Sequence, residues 1–268
     1  NELHARPFPE LAAPCMAAFL TIKAPKNAAE RDRGADYAHL LALLDRHGVA
    51  HPPPGANHYA GPLGRAFLKW EMHTEFVTYS LYVDGLEEGG FSGASFDLFP
   101  QDWLAKAPGA LLSSALIRFE TAPDLAAREA LLNAKSQHWF VPESLAVSHV
   151  LDNAAVVASD FRIDPGGHLR IAMFVSPDTG RRRIGRVVQR LCEIETYKTM
   201  SMLGFSRARE MQSRMGEIDE NLTALMVDMT SGASAAEQTL DALLSISAEL
   251  ESLSAQSAFR FAATEAYE

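Results

Sequence analysis

The sequence predicts an α+β (or α/β) fold: a mixed sheet with flanking helices, followed by a long antiparallel helical hairpin. Three observations lead to this reading. Short β-branched and aromatic runs alternate irregularly with helical periodicities up to residue 176, which suits a mixed sheet better than a regular doubly wound one. No proline occurs from 178 to 268. Within that stretch apolar and small residues recur three and four apart, the spacing of a helical seam. The chain therefore divides into a mixed α/β domain, 1–176, and a helical arm, 177–268.

The elements follow in order. Pro7, Pro9 and Pro14 keep 1–14 from forming a regular helix. The apolar run 16–22 reads as a buried strand. Residues 29–47 read as a helix, with Tyr37, Leu40, Leu41 and Leu44 on one stripe and Gly48 as its stop. His51 to Gly55, with three prolines, is a loop. Residues 65–72 alternate, placing Phe67, Lys69 and Glu71 on one face; with 75–83 they make a hairpin turning at His73-Thr74. The glycine-rich stretch 85–93 lacks the spacing and lysine of a phosphate loop. A short helix at 100–106, a strand at 116–120 and a helix at 123–134, with Pro123 in its first turn, come next. Strands are expected at 145–150, 155–163 and 169–175, the last two joined by the turn Asp164-Pro165-Gly166-Gly167.

In the arm, the positions Ile194, Tyr197, Ser201, Gly204, Ala208, Met211, Met215, Ile218, Leu222, Leu225 and Met229 form a heptad seam of about five repeats. Gly216 is a candidate kink. The break at 230–234 and the capping box Ser234/Glu237 start a second helix near Ala235, continued by Leu243, Ile246, Leu250 and Leu253. Two arms of about 34 residues, each roughly 50 Å long, would fold back as an intrachain hairpin.

The chain has 268 residues, 47% of them apolar, so it can bury a sizeable core. Mean hydropathy is −0.06, and no run approaches the roughly 18 apolar residues of a membrane helix. A net charge of −10 argues against nucleic acid as a general partner. Two cysteines fit a reducing compartment. The charge is uneven: −7 over 1–180, +6 over 181–215 and −9 over 216–268. Opposite blocks on successive parts of the arm would set register and partner choice. The chain starts at Asn1 and ends at Glu268 without a helix-stop signal, so it reads as a fragment.

Four segments carry a family resemblance: Asn1-Glu2-Leu3-His4-Ala5-Arg6-Pro7-Phe8; Trp70-Glu71-Met72-His73-Thr74-Glu75-Phe76; Ser159-Asp160-Phe161-Arg162-Ile163-Asp164; and the run from Gly185 to Tyr197. Together they resemble a bacterial family of uncharacterised membrane-anchored proteins, domain of unknown function 3422. The resemblance implies a soluble N-terminal part, long helices and a hydrophobic C-terminal anchor beyond this chain, which places the soluble part in the cytoplasm at the inner membrane. That layout is similar to the organisation of CorA-type divalent-cation channels, although their Gly-Met-Asn pore motif is not in the sequence.

The chemistry-bearing candidates form two groups. The first is a polar site of His4, Arg6, Glu71, His73, Glu75, Asp160 and Arg162. Alternation would aim Glu71, His73 and Glu75 to one face, able to bind a divalent metal or tune the histidine; Asp164, His149 and His168 are further ligand candidates. Against this stand plain readings: Arg6 as an anchor for the N-terminal segment, a polar hairpin face, and cross-strand pairs among Asp160, Arg162 and Asp164. The second group is an ion-pair network of Arg186, Arg190, Glu193 and Glu195 on the first arm helix, which facing the domain would fix helix to sheet. Cys15 and Cys192 read as buried structural thiols.

The leading expectation is a non-catalytic, self-assembling domain of a membrane-anchored protein. It would be a homo-oligomer through the helical region and would meet the membrane through a C-terminal segment beyond this chain. No cofactor is required. The alternatives are a cytosolic sensing domain of a CorA-like transporter, binding Mg²⁺ or Ca²⁺ through Asp and Glu oxygens, and an enzyme using a His/Glu site around His73.

Overall fold

A computed structural model describes residues 8–24, 31–86, 90–91, 99–232 and 236–267. His4, Arg6, most of the stretch 85–93 and Ser234 of the capping box lie outside the described residues. The chain forms two compact units, Asn1–Glu195 and Thr196–Glu268.

The first unit is built on a mixed eight-stranded sheet, as expected. Its strands are β1 (Cys15–Lys23), β2 (His58–Leu63), β3 (Ala66–Met72), β4 (Val77–Asp84), β5 (Ala110–Thr121), β6 (Ala146–Val150), β7 (Ala155–Ser159) and β8 (Leu169–Val175). Their order is β2-β3-β4-β1-β5-β8-β7-β6. Among the described residues only the β5–β8 pair is parallel. Helices α1 (Arg33–Arg46), α2 (Gln101–Leu104) and α3 (Leu125–Trp139) cover one face, and the first turns of α4 (Arg181–Ser231) cover the other.

Strand β1 is central and sends alternate residues into two cores, because side chains alternate across a strand. Met16, Ala18, Leu20 and Ile22 pack with Leu40, Leu43 and Leu44 of α1 and with Trp103. Cys15, Ala17 and Phe19 join Ile117, Phe119 and the stripe Ile184, Val188 and Cys192 of α4. A third cluster places Leu132 of α3 against Val156 and Phe174. Helices α1 and α3 begin at true caps: Asp32 Oδ1 accepts from Ala35 N at 3.1 Å and Asp124 Oδ1 from Ala127 N at 2.8 Å. Pro123 therefore precedes the cap of α3 rather than sitting in its first turn.

Two differences from the sequence reading stand out. Strand β2 carries Gly61 and Pro62, which argue against a strand, yet it is the sheet's edge, where a missing N–H costs nothing. Strand β7 stops at Ser159 instead of continuing to 163. Phe161 has φ 54°, which breaks the strand before Ile163 makes an isolated antiparallel bridge to Leu169 of β8. Asp160, Arg162 and Asp164 thus do not share one strand face.

A buried histidine gives this unit a pH dependence. His39 stacks on Trp103 at 4.0 Å; its Nε2 lies 3.1 Å from the Trp103 carbonyl and its Nδ1 3.0 Å from the Tyr79 hydroxyl. The carbonyl can only accept, so Nε2–H donates to it and neutral Nδ1 accepts from Tyr79. Burial holds the pKa of His39 below its usual value, the contact with Trp103 opposing this only in part. A base depressed in the folded state binds fewer protons than in the unfolded chain. Stability is therefore constant above about pH 6.5 and falls as acid protonates the unfolded histidine. Urea unfolding at pH 7 and pH 5 should show a shallower loss for His39→Gln than for the parent chain; equal losses would refute the assignment.

The second unit contains α4 from Thr196 onward and α5 (Ala236–Tyr267). Pairs Arg207–Gln256, Arg214–Glu249 and Tyr197–Tyr267 run in opposite directions along the two helices, so the arm is the antiparallel hairpin expected. Helix α4 continues unbroken through Gly216.

The inner seam follows the anticipated one in part. Gly204 packs against Thr264, Ile218 is buried, and Met211, Leu222, Leu225, Ile246 and Leu253 are half-buried, joined by the buried Thr239 and Ser257. Met215, Met229, Leu243 and Leu250 of the anticipated seam are exposed.

Candidate functional site

The polar residues singled out in the sequence do not gather in one place. Glu71 lies on β3, on the sheet face covered by α4. It pairs with Lys69 at 3.1 Å, and Lys69 Nζ donates to Gln189 Oε1 at 3.4 Å. Gln189 Nε2 donates in turn to Glu193 Oε1 at 2.8 Å, and Arg190 Nη1 to Glu193 Oε2 at 2.9 Å. Lys69, Glu71, Glu193 and Glu195 are all buried. A chain of charge-assisted bonds thus ties the sheet to the first turns of α4. Arg186 sits apart from it, its guanidinium 5.1 Å from the ring centre of Phe8.

Lys69 and Gln189 were not among the candidate residues, although they link the two groups that were. The alternation over 65–72 already put Lys69 beside Glu71. Nothing in the sequence showed that the Gln189 side of α4 would meet that face.

The same region borders a cavity of about 540 Å³, lined by Lys69, Glu71, Arg65, Asp84, Tyr82 and Tyr59 among others. Its charged groups balance, so it selects neither anions nor cations by net charge. Beneath it, burial raises the Tyr82 hydroxyl pKa, with the nearby Cys192 adding to the effect. Burial likewise pushes the Cys15 thiol up to about 12 and raises Cys192 further. Neither cysteine is in a disulfide, and both are buried and held as thiols, so neither has the character of an activated nucleophile.

His73 and Glu75 form the turn of the β3–β4 hairpin. His73 is buried against Phe76, with Nε2 3.4 Å from Thr78 Oγ1, and Thr78 is the register partner of Glu71. Glu75 lies 4.0 Å from Lys23. Nearby, Arg31 donates to the His73 carbonyl at 2.6 Å and pairs with Asp36 at 2.6 Å. The Glu71-His73-Glu75 run is therefore held among fold-stabilising partners.

Asp160 is elsewhere. Strand β7 stands five positions from β3 in the sheet, roughly 24 Å at strand spacing. Asp160 Oδ2 accepts from Val141 N at 2.9 Å and Arg170 Nη2 at 3.1 Å, and Oδ1 accepts from Arg162 N at 3.2 Å. The Arg162 side chain points to Ser144 Oγ at 2.7 Å. His149 faces Glu129 at 3.7 Å, and His168 Nδ1 lies 2.6 Å from Ser114 Oγ. Among the described residues no group of three or more His, Cys, Asp or Glu side chains is placed to hold a metal ion.

The second unit offers a shallow cavity of about 340 Å³, lined by Arg207, Glu210, Met211, Arg214, Glu249 and Gln256 among others, and a broad surface. At 100° per residue, the hairpin has two broad faces with different chemistry. On one, Arg207 donates to Ser257 at 3.1 Å and Gln256 at 3.2 Å, and Arg214 pairs with Glu217 and Glu249. The other carries Met215 and Met226 of α4 and Leu243, Leu250 and Phe261 of α5, 36 to 66% exposed, with Ser201, Ala208, Ser247 and Ser254 between them. Asp219, five full turns from Ser201, and Glu265, beside Ser254, share this face; an exposed apolar stripe of this kind marks an interaction site.

The family model described as Protein of unknown function (DUF3422) matches residues 1–268. No curated protein and no solved structure matches the chain.

Proposed function

We propose that this chain, which belongs to the DUF3422 family of unknown function, is a non-catalytic, self-assembling domain of a membrane-anchored protein. The carrying observation is the outward apolar face of the hairpin, Met215, Met226, Leu243, Leu250 and Phe261. Burying that face against another copy removes the surface a monomer leaves in water. The buried polar motifs support the same reading, since Glu71, Glu75, Asp160 and Glu193 each pair with a cationic side chain of the fold. Anchoring and a cytoplasmic position rest on the family resemblance; among the described residues no helix is long and apolar enough to cross a membrane.

Light scattering on the 268-residue chain tests the assembly. The expected result is a mass of at least two chains, with Met226→Glu plus Leu243→Glu weakening association by at least about tenfold, 1.4 kcal/mol. A strict monomer at high concentration, with far-ultraviolet circular dichroism showing the helices intact, would overturn the reading.

A second reading, the sensing domain of a CorA-like cation transporter, draws on residues 216–252, which hold eight acidic and no basic residues. Weak Mg²⁺ or Ca²⁺ binding there would raise the melting temperature or change the mass. An unchanged melt and mass in millimolar Mg²⁺ would remove it.

A further inference from the structure

The first unit holds a second cavity, of about 260 Å³, on the sheet face covered by α1, α2 and α3. Its floor is the β1–β5 pair, where Leu20 is the register partner of Ser114 and Ala18 that of Leu116. Alternation turns Ser114 and Leu116 to the same face. Leu104 of α2, Phe91 and Phe99 give it apolar walls. One side is polar. Strand β5 runs parallel to β8, with Ala115 opposite Leu169, so His168 stands next to Ser114. Ser114 is buried, and its Oγ lies 2.6 Å from His168 Nδ1. The turn at 164–167 brings Asp164 to the same place, where its Oδ1 accepts from His168 N at 2.9 Å. A Cβ added at Gly166 would lie 3.0 Å from His168 Cδ2, 3.2 Å from Asp164 Oδ1 and 3.4 Å from His168 Nε2. Glycine therefore leaves a small hollow between a carboxylate and an imidazole, which a methyl group would fill.

We infer that this cavity binds a small primary amine, with the ammonium group beside Asp164 and an apolar body between Leu104, Phe91 and Phe99. The site lies wholly in the first unit and is independent of self-assembly. Charge selects the ligand class. Among the described residues of the lining, Asp164 is the only aspartate, glutamate, lysine or arginine. No lysine or arginine of the described residues pairs with it. A cation entering the cavity meets an opposite charge with low-dielectric walls around it, whereas a carboxylate meets a like charge. Hydrogen bonding agrees. An ammonium brings three donors and no acceptor. The Asp164 carboxylate accepts, the Ser114 hydroxyl keeps a lone pair when it donates to His168 Nδ1, and the Gln101 side chain in the lining offers a carbonyl. Size sets the body. An apolar cavity of about 150 Å³ accommodates benzene. The larger volume here takes a phenyl ring with a two-carbon chain and its nitrogen.

The probe is 2-phenylethylamine, with 2-phenylethanol and 3-phenylpropanoate as its neutral and anionic counterparts. Titration calorimetry on the 268-residue chain ranks the three, and backbone amide shifts locate the binding. The amine should bind at least about tenfold more tightly than the alcohol, and the carboxylate most weakly. Shifts should centre on Ser114, His168 and Leu104. Asp164→Asn keeps an oxygen for His168 N and removes the charge. It should lower the amine's affinity about tenfold and leave the alcohol's unchanged. Gly166→Ala fills the hollow and should weaken the amine as well. Thermal melts check that both variants fold, and the ranking on the parent chain decides even where a variant does not. Equal affinities for the three probes, or tightest binding of the carboxylate, overturn the inference. So do the absence of binding at millimolar amine, shifts that spare Ser114 and His168, and amine binding that a folded Asp164→Asn chain retains in full.

Discussion

Asp160→Ala should destabilise the first unit by about 3 kcal/mol, the order expected when one partner of a buried ion pair is removed. The carboxylate is fully shielded, with 0% of the side chain exposed, and Arg170 beside it is 19% exposed. Its two oxygens accept from Arg170 and from the main-chain N–H groups of Val141 and Arg162. Alanine leaves a guanidinium and two donors with lost partners, and each unsatisfied buried group costs on the order of 1–3 kcal/mol. Arg162→Ala is the control. Its guanidinium reaches only Ser144 at the surface, so its loss should cost no more than about 0.5 kcal/mol. Urea unfolding of both variants separates a structural Asp160 from a member of a polar site with Arg162. Equal losses, or an Asp160→Ala chain as stable as the parent, would refute the structural role.

This contrast shows why the site was harder to read than the fold. Strand periodicity carried through 155–163, so Asp160, Arg162 and Asp164 lay on one imagined face. Sequence alternation cannot show that Ser159 and Asp160 bend the chain by accepting their own downstream N–H groups, at Phe161 and Arg162. The sequence pattern identified β1 by its apolar run, β3 by its alternation and β4 by its β-branched and aromatic content, strands that are buried along most of their length. It missed β2, whose Gly61-Pro62 pair is tolerated only because the strand is an edge, a tertiary fact. The long helices were legible from the absence of proline and the three-four spacing. Their seam was legible in part: Gly204, Met211, Ile218, Leu222, Leu225, Ile246 and Leu253 are buried or half-buried as the three-four spacing predicts, while Met215, Leu243 and Leu250 turn outward and Thr239, Ser257 and Arg207 take inner positions.

Gly185→Ala should cost about 2 kcal/mol, against the sign that helix propensity gives. Alanine in a helix interior is ordinarily about 1 kcal/mol better than glycine. At 185, however, a Cβ would fall 1.6 Å from the Pro9 carbonyl oxygen, a main-chain atom that cannot rotate aside. The segment before β1 lies along the start of α4: Leu11 N donates to the Arg181 carbonyl at 3.2 Å, and Arg182 Nε to Glu10 Oε1 at 2.8 Å. Relieving the overlap means moving that strand of main chain and loosening Leu11 from the core it shares with Ile184 and Val188. Overpacking of this kind costs about 1–3 kcal/mol or more, enough to exceed the propensity gain. Gly216 supplies the opposite case on the same helix. Nothing lies within 4 Å of its added Cβ, so Gly216→Ala should gain about 0.5–1 kcal/mol. Hydrogen exchange resolves the two units separately, and protection should fall around Leu11 and Val188 in the first variant and rise around Gly216 in the second. A Gly185→Ala chain more stable than the parent would mean that the segment before β1 does not bear on α4 in solution, and the close approach that excludes a side chain at 185 would be lost as an explanation for the glycine.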